Sequence, residues 1–348
     1  MSNYNLICPL PLDSSEIITL AHGGGGRLTR RLIEGVFLPQ FANPSLQILH
    51  DGAVFKHNGG RLAFTTDSYV VQPIFFPGGD IGTLAVNGTI NDLAMCGALP
   101  LYLSVGVILE EGFPVAQLQR IVASMRSATE VSGVKIIAGD TKVVNRGKED
   151  GIYINTAGIG FIEHHLDITP ASISPGDAVI LSGDIGRHAL AVIAMREDLD
   201  LEIPIFSDCA PLAEPILKLI AAGVEVHCLR DLTRGGLATA LVELADSSRT
   251  HISFSESAVL VSEPVRGLSE MLGFDPLYLA NEGRFVAFLP EKEVDKAVDI
   301  LHTYSVSAGA AVIGQVSASD KGMVTMTTII GSSRRIEMLS GEQLPRIC

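Results

Sequence analysis

The chain has 348 residues, 47% of them hydrophobic and 18% charged, with a formal net charge of −14. That length suggests about two domains with a sizeable core, and the acidity argues against broad nucleic-acid or anionic-membrane binding. No run reaches the ~18 apolar residues needed to cross a bilayer, and no leader pattern is expected at the N-terminus, so the expected compartment is the cytoplasm.

Five cysteines (Cys8, Cys96, Cys209, Cys228, Cys348) are scattered with no CxxC pair. They form neither a disulfide framework nor a zinc site. There are 35 glycines, many in clusters, which suggests tight turns and close backbone approach.

In chain order, the first feature is Ala21-His22-Gly23-Gly24-Gly25-Gly26-Arg27, running into Leu28, Leu32, Ile33 and Val36. It reads as a loop feeding a helix, where backbone N–H groups and the helix dipole favour an anion. Gly24, Gly25, Gly26 and Arg27 are therefore candidate phosphate contacts. A flexible hinge fits the run equally well, and no Walker lysine follows.

Arg61–Asp67 reads as a strand ending in a carboxylate. Asp80, after Pro77-Gly78-Gly79, is an N-cap candidate for a helix from Ile81 to about Cys96. Ile81, Leu84, Ala85, Gly88 and Asp92 share one side of it. Gly88, one turn before Asp92, leaves room for a backbone or ligand.

Leu101–Leu109 reads as a strand, and Pro114 to Ser132-Gly133 as a helix with proline in its first turn. Val134–Lys142 repeats the strand-then-carboxylate device at Asp140. Ile152–Ile162 is another strand. Pro170–Asp177 is a turn-rich connector and the best domain boundary.

Beyond it come a strand into Ser182-Gly183-Asp184-Ile185-Gly186, then helices from Arg187 to Arg196 and Pro211 to Ala222. Arg230-Asp231-Leu232-Thr233-Arg234-Gly235-Gly236 leads into a further helix. Helix and strand then alternate to residue 330. The expected division is an N-terminal segment (1–45), an N-terminal domain (46–168), a C-terminal α/β domain (169–333) and a tail (334–348). The tail ends in Pro345-Arg346-Ile347-Cys348. A thiol on a free chain end, approached through an extended Leu344-Pro345, can swing into a site elsewhere.

Asp67, Asp92 and Asp140, with Asp51 as a fourth, are the candidate carboxylates. Gathered in a cleft they would need a cation, and Mg2+ is commonly held by one or two carboxylates plus substrate phosphates. The expectation is a Mg–ATP site in the first domain, with Lys142 near the phosphates. The competing reading makes these aspartates turn formers and helix caps.

The ordered set Ala21–Gly26, Phe64-Thr65-Thr66-Asp67-Ser68, Phe75–Asp80, Asn91-Asp92-Leu93, Gly139-Asp140-Thr141-Lys142-Val143-Val144, Asn155–Gly158 and Pro345-Arg346-Ile347-Cys348 resembles the HypE family of NiFe-hydrogenase maturation proteins. The likeness spans nearly the whole chain. HypE proteins are similar in fold to aminoimidazole ribonucleotide synthetase and selenophosphate synthetase. The resemblance implies two α/β domains and a homodimer whose N-terminal domains share a β-barrel.

It also implies a carbamoyl dehydratase. The terminal cysteine would receive a carbamoyl group from the carbamoyltransferase HypF, and ATP would drive its dehydration to a thiocyanate. The cyanide would pass to a HypC–HypD complex and on to iron. On that reading Cys348 is the carrier, and Lys142 and Glu282 orient and deprotonate the carboxamide. Asp67, Asp92 and Asp140 serve metal and nucleotide, with Asp51 beside them. In Gly186-Arg187-His188-Ala189 the family pattern leads one to expect glycine at Ala189, so His188 reads as packing at a helix start. The rivals are a selenophosphate-synthetase-like kinase, which would use Cys8, a thiamin-phosphate-kinase-like enzyme, and a non-catalytic scaffold with a docking tail.

Overall fold

The computed structural model describes residues 26–37, 40, 46–48, 50–57, 60–147, 150–319, 321–339 and 347. Gly24, Gly25, Cys8 and Cys348 lie outside the described residues.

The N-terminal sheet has five strands: β1 (Ala53–His57), β2 (Gly60–Tyr69), β5 (Leu99–Glu110), β6 (Lys135–Val144) and β7 (Ile152–Ile162). Their order is β1-β2-β7-β5-β6, antiparallel except for the β5–β6 pair. The short pair β3 (Phe75–Phe76) and β4 (Gly79–Asp80) precedes α2 (Ile81–Met95). Asp80 caps α2 as expected, accepting from the backbone N–H groups of Gly82 and Thr83, while Thr83 returns a bond to the Asp80 N–H. Behind α2 lies α3 (Val115–Ser132), closed by Gly133 at φ 69°.

Alternation along β2 gives the sheet two different faces. Ala63, Thr65 and Tyr69 are buried on the α2 side. The other face exposes Phe64, Tyr102 and Ile108.

The second sheet has seven strands in the order β14-β13-β10-β12-β8-β11-β9. They are β8 (Asp177–Leu181), β9 (Cys228–Asp231), β10 (Thr250–Ser255), β11 (Phe285–Pro290), β12 (Ala311–Ala318), β13 (Met323–Thr327) and β14 (Ser333–Ile336). Central strands β8 and β11 are apolar apart from Asp177 at the start of β8, because both faces are covered. One face packs on α6 (Gly236–Ser248) through Val179, Val286, Phe288, Leu237 and Leu241. The other packs on α4 (Arg187–Arg196), α5 (Ala213–Ala221), α7 (Glu263–Leu272) and α8 (Val294–His302). That second core runs on without a break into α2 through Ile81, Leu84 and Ile90, which ties the two sheets together.

Several expectations change. Asp67 and Asp140 are not at strand ends, because β2 runs on to Tyr69 and β6 to Val144. The room beside Gly88 is taken by Tyr69, whose hydroxyl would sit 2.2 Å from a Cβ there. Arg334–Ile336, placed in the tail by sequence, belong to β14 and pair with β13. The short α1 (Arg27–Leu32) follows Gly26 as expected.

Candidate active site

The last turn of α2, the inner side of β2 and the end of β9 meet where the two sheets join. Thr65 donates to the Asp92 carboxylate at 2.8 Å and lies 3.0 Å from the Asp51 carbonyl. Arg230, one residue before the end of β9, pairs with Asp51 at 3.0 Å and also with Glu243. Asp231 ends β9 and is 7% exposed. Arg234 lies 3.7 Å from Asp67. Glu282 is buried in the loop before β11, and its Oε1 has no hydrogen-bond partner.

These carboxyls act on one another. Burial, then the charges of Asp231, Asp67 and Asp51, pushes Asp92 well above the usual carboxylate range. Burial and Asp51 raise Asp231 to about 8, although Arg230 opposes this. Burial raises Asp51 to about 6 against the pull of Arg230. Burial, then Asp231, Asp67 and Asp208, pushes Glu282 well up. Acidic groups crowded together by burial raise one another's hold on protons, and a cation among them would relieve that repulsion.

Asp51 Oδ2, Asp208 Oδ1 and Glu282 Oε1 are buried without donors. Among the described residues, however, no three His, Cys, Asp or Glu side chains are preset as a metal-holding group. Hard oxygen donors with unfilled lone pairs and no closed cage suit Mg2+, which keeps waters and takes the rest of its shell from phosphates.

The C-terminal rim of this pocket is polar and densely bonded. The Gly283 N–H donates to Asp208 at 3.1 Å. Two residues beyond Asp208 the chain is held by Asn91 of α2. Its amide nitrogen donates to the carbonyls of Ala210 and Glu282, and its oxygen accepts the Leu212 N–H at 2.8 Å. Next to Asp208, Ser207 Oγ lies 2.8 Å from His188 Nδ1. The other ring nitrogen, Nε2, lies 2.9 Å from the Ile347 carbonyl. The Ile347 carbonyl, on a residue only 5% exposed, is thereby linked through His188 and Ser207 to the residue next to Asp208.

Two family models cover most of the chain: AIR synthase related protein, N-terminal domain, over residues 49–162, and its C-terminal domain counterpart over residues 174–327. Carbamoyl dehydratase HypE of Rhizobium leguminosarum bv. viciae is 49% identical over 332 residues, 95% of each chain. A crystal structure of hydrogenase maturation protein HypE in complex with ATP superposes with a TM-score of 0.81 at 46% identity, covering 95% of this chain and 100% of that one. The HypE of a HypE–HypF complex gives a TM-score of 0.84 at 44% identity, covering 88% and 99%.

The chain belongs to the HypE family. Its place in that family makes the remaining candidates informative. Asp140 stands opposite Gly106, Gly106 opposite Asn155, and Asn155 opposite Ser68. Ser68 is one residue from Asp67, and a one-residue offset in a strand changes the face. Asp140 and Lys142 accordingly lie on the open side of the sheet, paired with each other at 2.9 Å. There they line a cavity of about 420 Å³ with Ser68, Gly106, Ile108 and Asn155. The structure brings Asp51, Asp67, Asp92 and Glu282 together and leaves Asp140 and Lys142 apart from them within one chain.

Gly26 and Arg27 are anchored to the second domain. The Arg27 N–H donates to the Leu339 carbonyl and its guanidinium pairs with Glu337 at 2.8 Å. Gly26 shares a cavity of about 230 Å³ with Asp51, His50 and Arg230. The second glycine-rich turn satisfies itself: Asp184 is held by Arg284 and Arg187.

Sequence reasoning missed Asp231 and Asp208 in this HypE-family pocket. Asp231 was findable, since it repeats the pattern of a strand, a carboxylate and a glycine-rich entry to a helix. Asp208 carried no local signal.

Proposed function

We propose that this protein dehydrates an S-carboxamide on Cys348 to a thiocyanate at the expense of ATP, supplying the cyanide ligand for hydrogenase iron. One observation carries this reading. Ile347, the neighbour of Cys348, is bonded through His188 beside Asp208 and Glu282, at the edge of a pocket of mutually repelling carboxylates. A HypE relative has been crystallised with ATP and another with HypF, which supports ATP as phosphoryl donor and HypF as the source of the carbamoyl group. HypC–HypD is the proposed acceptor of the cyanide.

Asp92 and Asp67, with Asp51 and Asp231, are the residues proposed to hold Mg2+ and the nucleotide phosphates. When bound, the ion neutralises charge on the transferring phosphoryl group. The pocket presents the carboxamide oxygen to that group, and phosphorylation turns a poor leaving oxide into phosphate. Glu282, whose buried carboxyl holds protons strongly, would act once ionised beside a bound cation: it takes one proton from the carboxamide nitrogen as the C–O bond breaks, and the second leaves with the departing phosphate. The carbon is left as S–C≡N, with ADP and phosphate released. The tail supplies the reacting group at high local concentration.

Asp140 and Lys142 join the site in this reading only across a homodimer. The open face of the first sheet, with exposed Phe64, Tyr102 and Ile108, is the surface that a second copy covers. Each copy then lends Asp140 and Lys142 to the carboxylates of the other. Gly24 and Gly25 are proposed as phosphate contacts.

The test is the mass of the C-terminal peptide after incubation with carbamoyltransferase, carbamoyl phosphate and ATP. The expected result is gain of a carbamoyl group followed by ATP-dependent loss of one water. A tail that gains the group but never loses water overturns the proposal.

A further inference from the structure

His188 is fully buried on the first turn of α4, and its two ring nitrogens face different partners. A carbonyl oxygen can only accept, so Nε2 carries the proton and donates to Ile347. In the neutral ring Nδ1 must then accept, and the Ser207 hydroxyl is its donor. Ser207 Oγ in turn accepts the Cys209 N–H at 3.0 Å. The relay therefore runs one way, from the Cys209 backbone through Ser207 and the imidazole to the tail. Burial lowers the ring's affinity for a second proton, which keeps it in this neutral form.

The ring itself has little freedom. The Ala189 N–H bonds the Ala280 carbonyl, the Gly186 N–H bonds Asn281 Oδ1, and the edge of Phe76 packs on the imidazole with centroids 5.3 Å apart. Ile347 joins the same apolar core as α2 and α4.

We propose that His188 is a positioning residue that latches the tail in its reacting position, by donating from Nε2 to the Ile347 carbonyl. The claim rests on the dehydratase reading for what the latched tail does, but not for the latch itself. Loading Cys348 needs the tail exposed to another protein, whereas dehydration needs it in the pocket. Among the described residues the hold consists of one neutral hydrogen bond and one aliphatic side chain, so it closes readily and also releases. His188 sets that balance without touching the reacting atoms.

The experiment uses the full chain with Mg–ATP and four proteins: wild type, His188→Leu, His188→Gln and Ile347→Ala. Trypsin release of the dipeptide after Arg346 reports how often the tail leaves, with rates normalised to the denatured chains. His188→Leu is expected to release it roughly tenfold faster, since a buried carbonyl loses its donor. His188→Gln, whose amide can replace Nε2–H, restores protection. Dehydration of pre-carbamoylated tail in a single turnover slows by a similar factor in His188→Leu, while carbamoylation is not slowed.

Equal release from wild type and His188→Leu, or no rescue by His188→Gln, overturns the latch. Should His188→Leu fail to fold, Ile347→Ala gives the same two readouts from the tail side, and an unchanged release rate there overturns the proposal as well. A wild-type tail that is protected but never dehydrated would sink the dehydratase reading and leave the latch standing.

Discussion

The proposed mechanism gives the acidic side chains of the pocket separable roles. Asp92 accepts from Thr65 and faces the cluster, so Asp92→Asn is expected to weaken Mg–ATP binding about tenfold or more by calorimetry. An unchanged affinity removes Asp92 from the site. Glu282→Gln keeps the shape but not the base. Nucleotide affinity should persist while dehydration slows by roughly 10²- to 10⁴-fold, the usual worth of a positioned base. Asp51 and Asp231 sit at about 6 and about 8, above their unfolded values near 4. Between those limits the folded state binds more protons than the unfolded one, so nucleotide-free stability should fall as pH rises from about 4 to about 8. Urea melts across that window check it, and Asp231→Asn should flatten the slope. A slope unchanged by that substitution would mean that Asp231 does not bear the cost.

Among the elements, α2 was the most legible from sequence and for physical reasons. Its cap, its start and its end are local signals, and Asp80 forms the predicted bonds. Asp80→Ala should cost about 1 kcal/mol by denaturant unfolding. What the helix packs against was not legible. Gly88 reads as space for a backbone or a ligand, but the occupant is the Tyr69 side chain, brought in by β2 from nineteen positions earlier. Gly88→Ala should therefore cost roughly 1–3 kcal/mol through overpacking, whereas a ligand-facing glycine would leave stability unchanged. Strand β10 carries a period-2 pattern, with Ile252 and Phe254 inward, yet passed unnoticed between two helices. β9 is only four residues long, too short to show any period, so the glycine-rich helix entry after Asp231 is the one local signal for it. The face that Asp140 takes is a matter of parity. Nothing in Gly139-Asp140-Thr141 tells which face of β6 it takes until the register with β5 is known.

For the whole molecule, the proposed exchange of Asp140 and Lys142 between copies makes a strict forecast. Asp92→Asn and Asp140→Asn should each be nearly inactive alone. Mixed and allowed to re-dimerise, they should recover about a quarter of wild-type activity, because half the dimers carry one intact site of two. No recovery in a mixture shown to exchange subunits would place Asp140 outside the partner's pocket. Replacing Ile108 with Glu on the open face should shift the protein to monomer in ultracentrifugation.

Asn91 is a buried residue of α2. Its one amide spans the seam between the sheets with three bonds, to Ala210, Glu282 and Leu212, and its neighbour in the chain is Asp92. Any hinge-like opening of the two halves would strip that amide and part Asp92, proposed to hold nucleotide, from Glu282, the proposed base. In that reading the substrate cannot be admitted by prising the halves open.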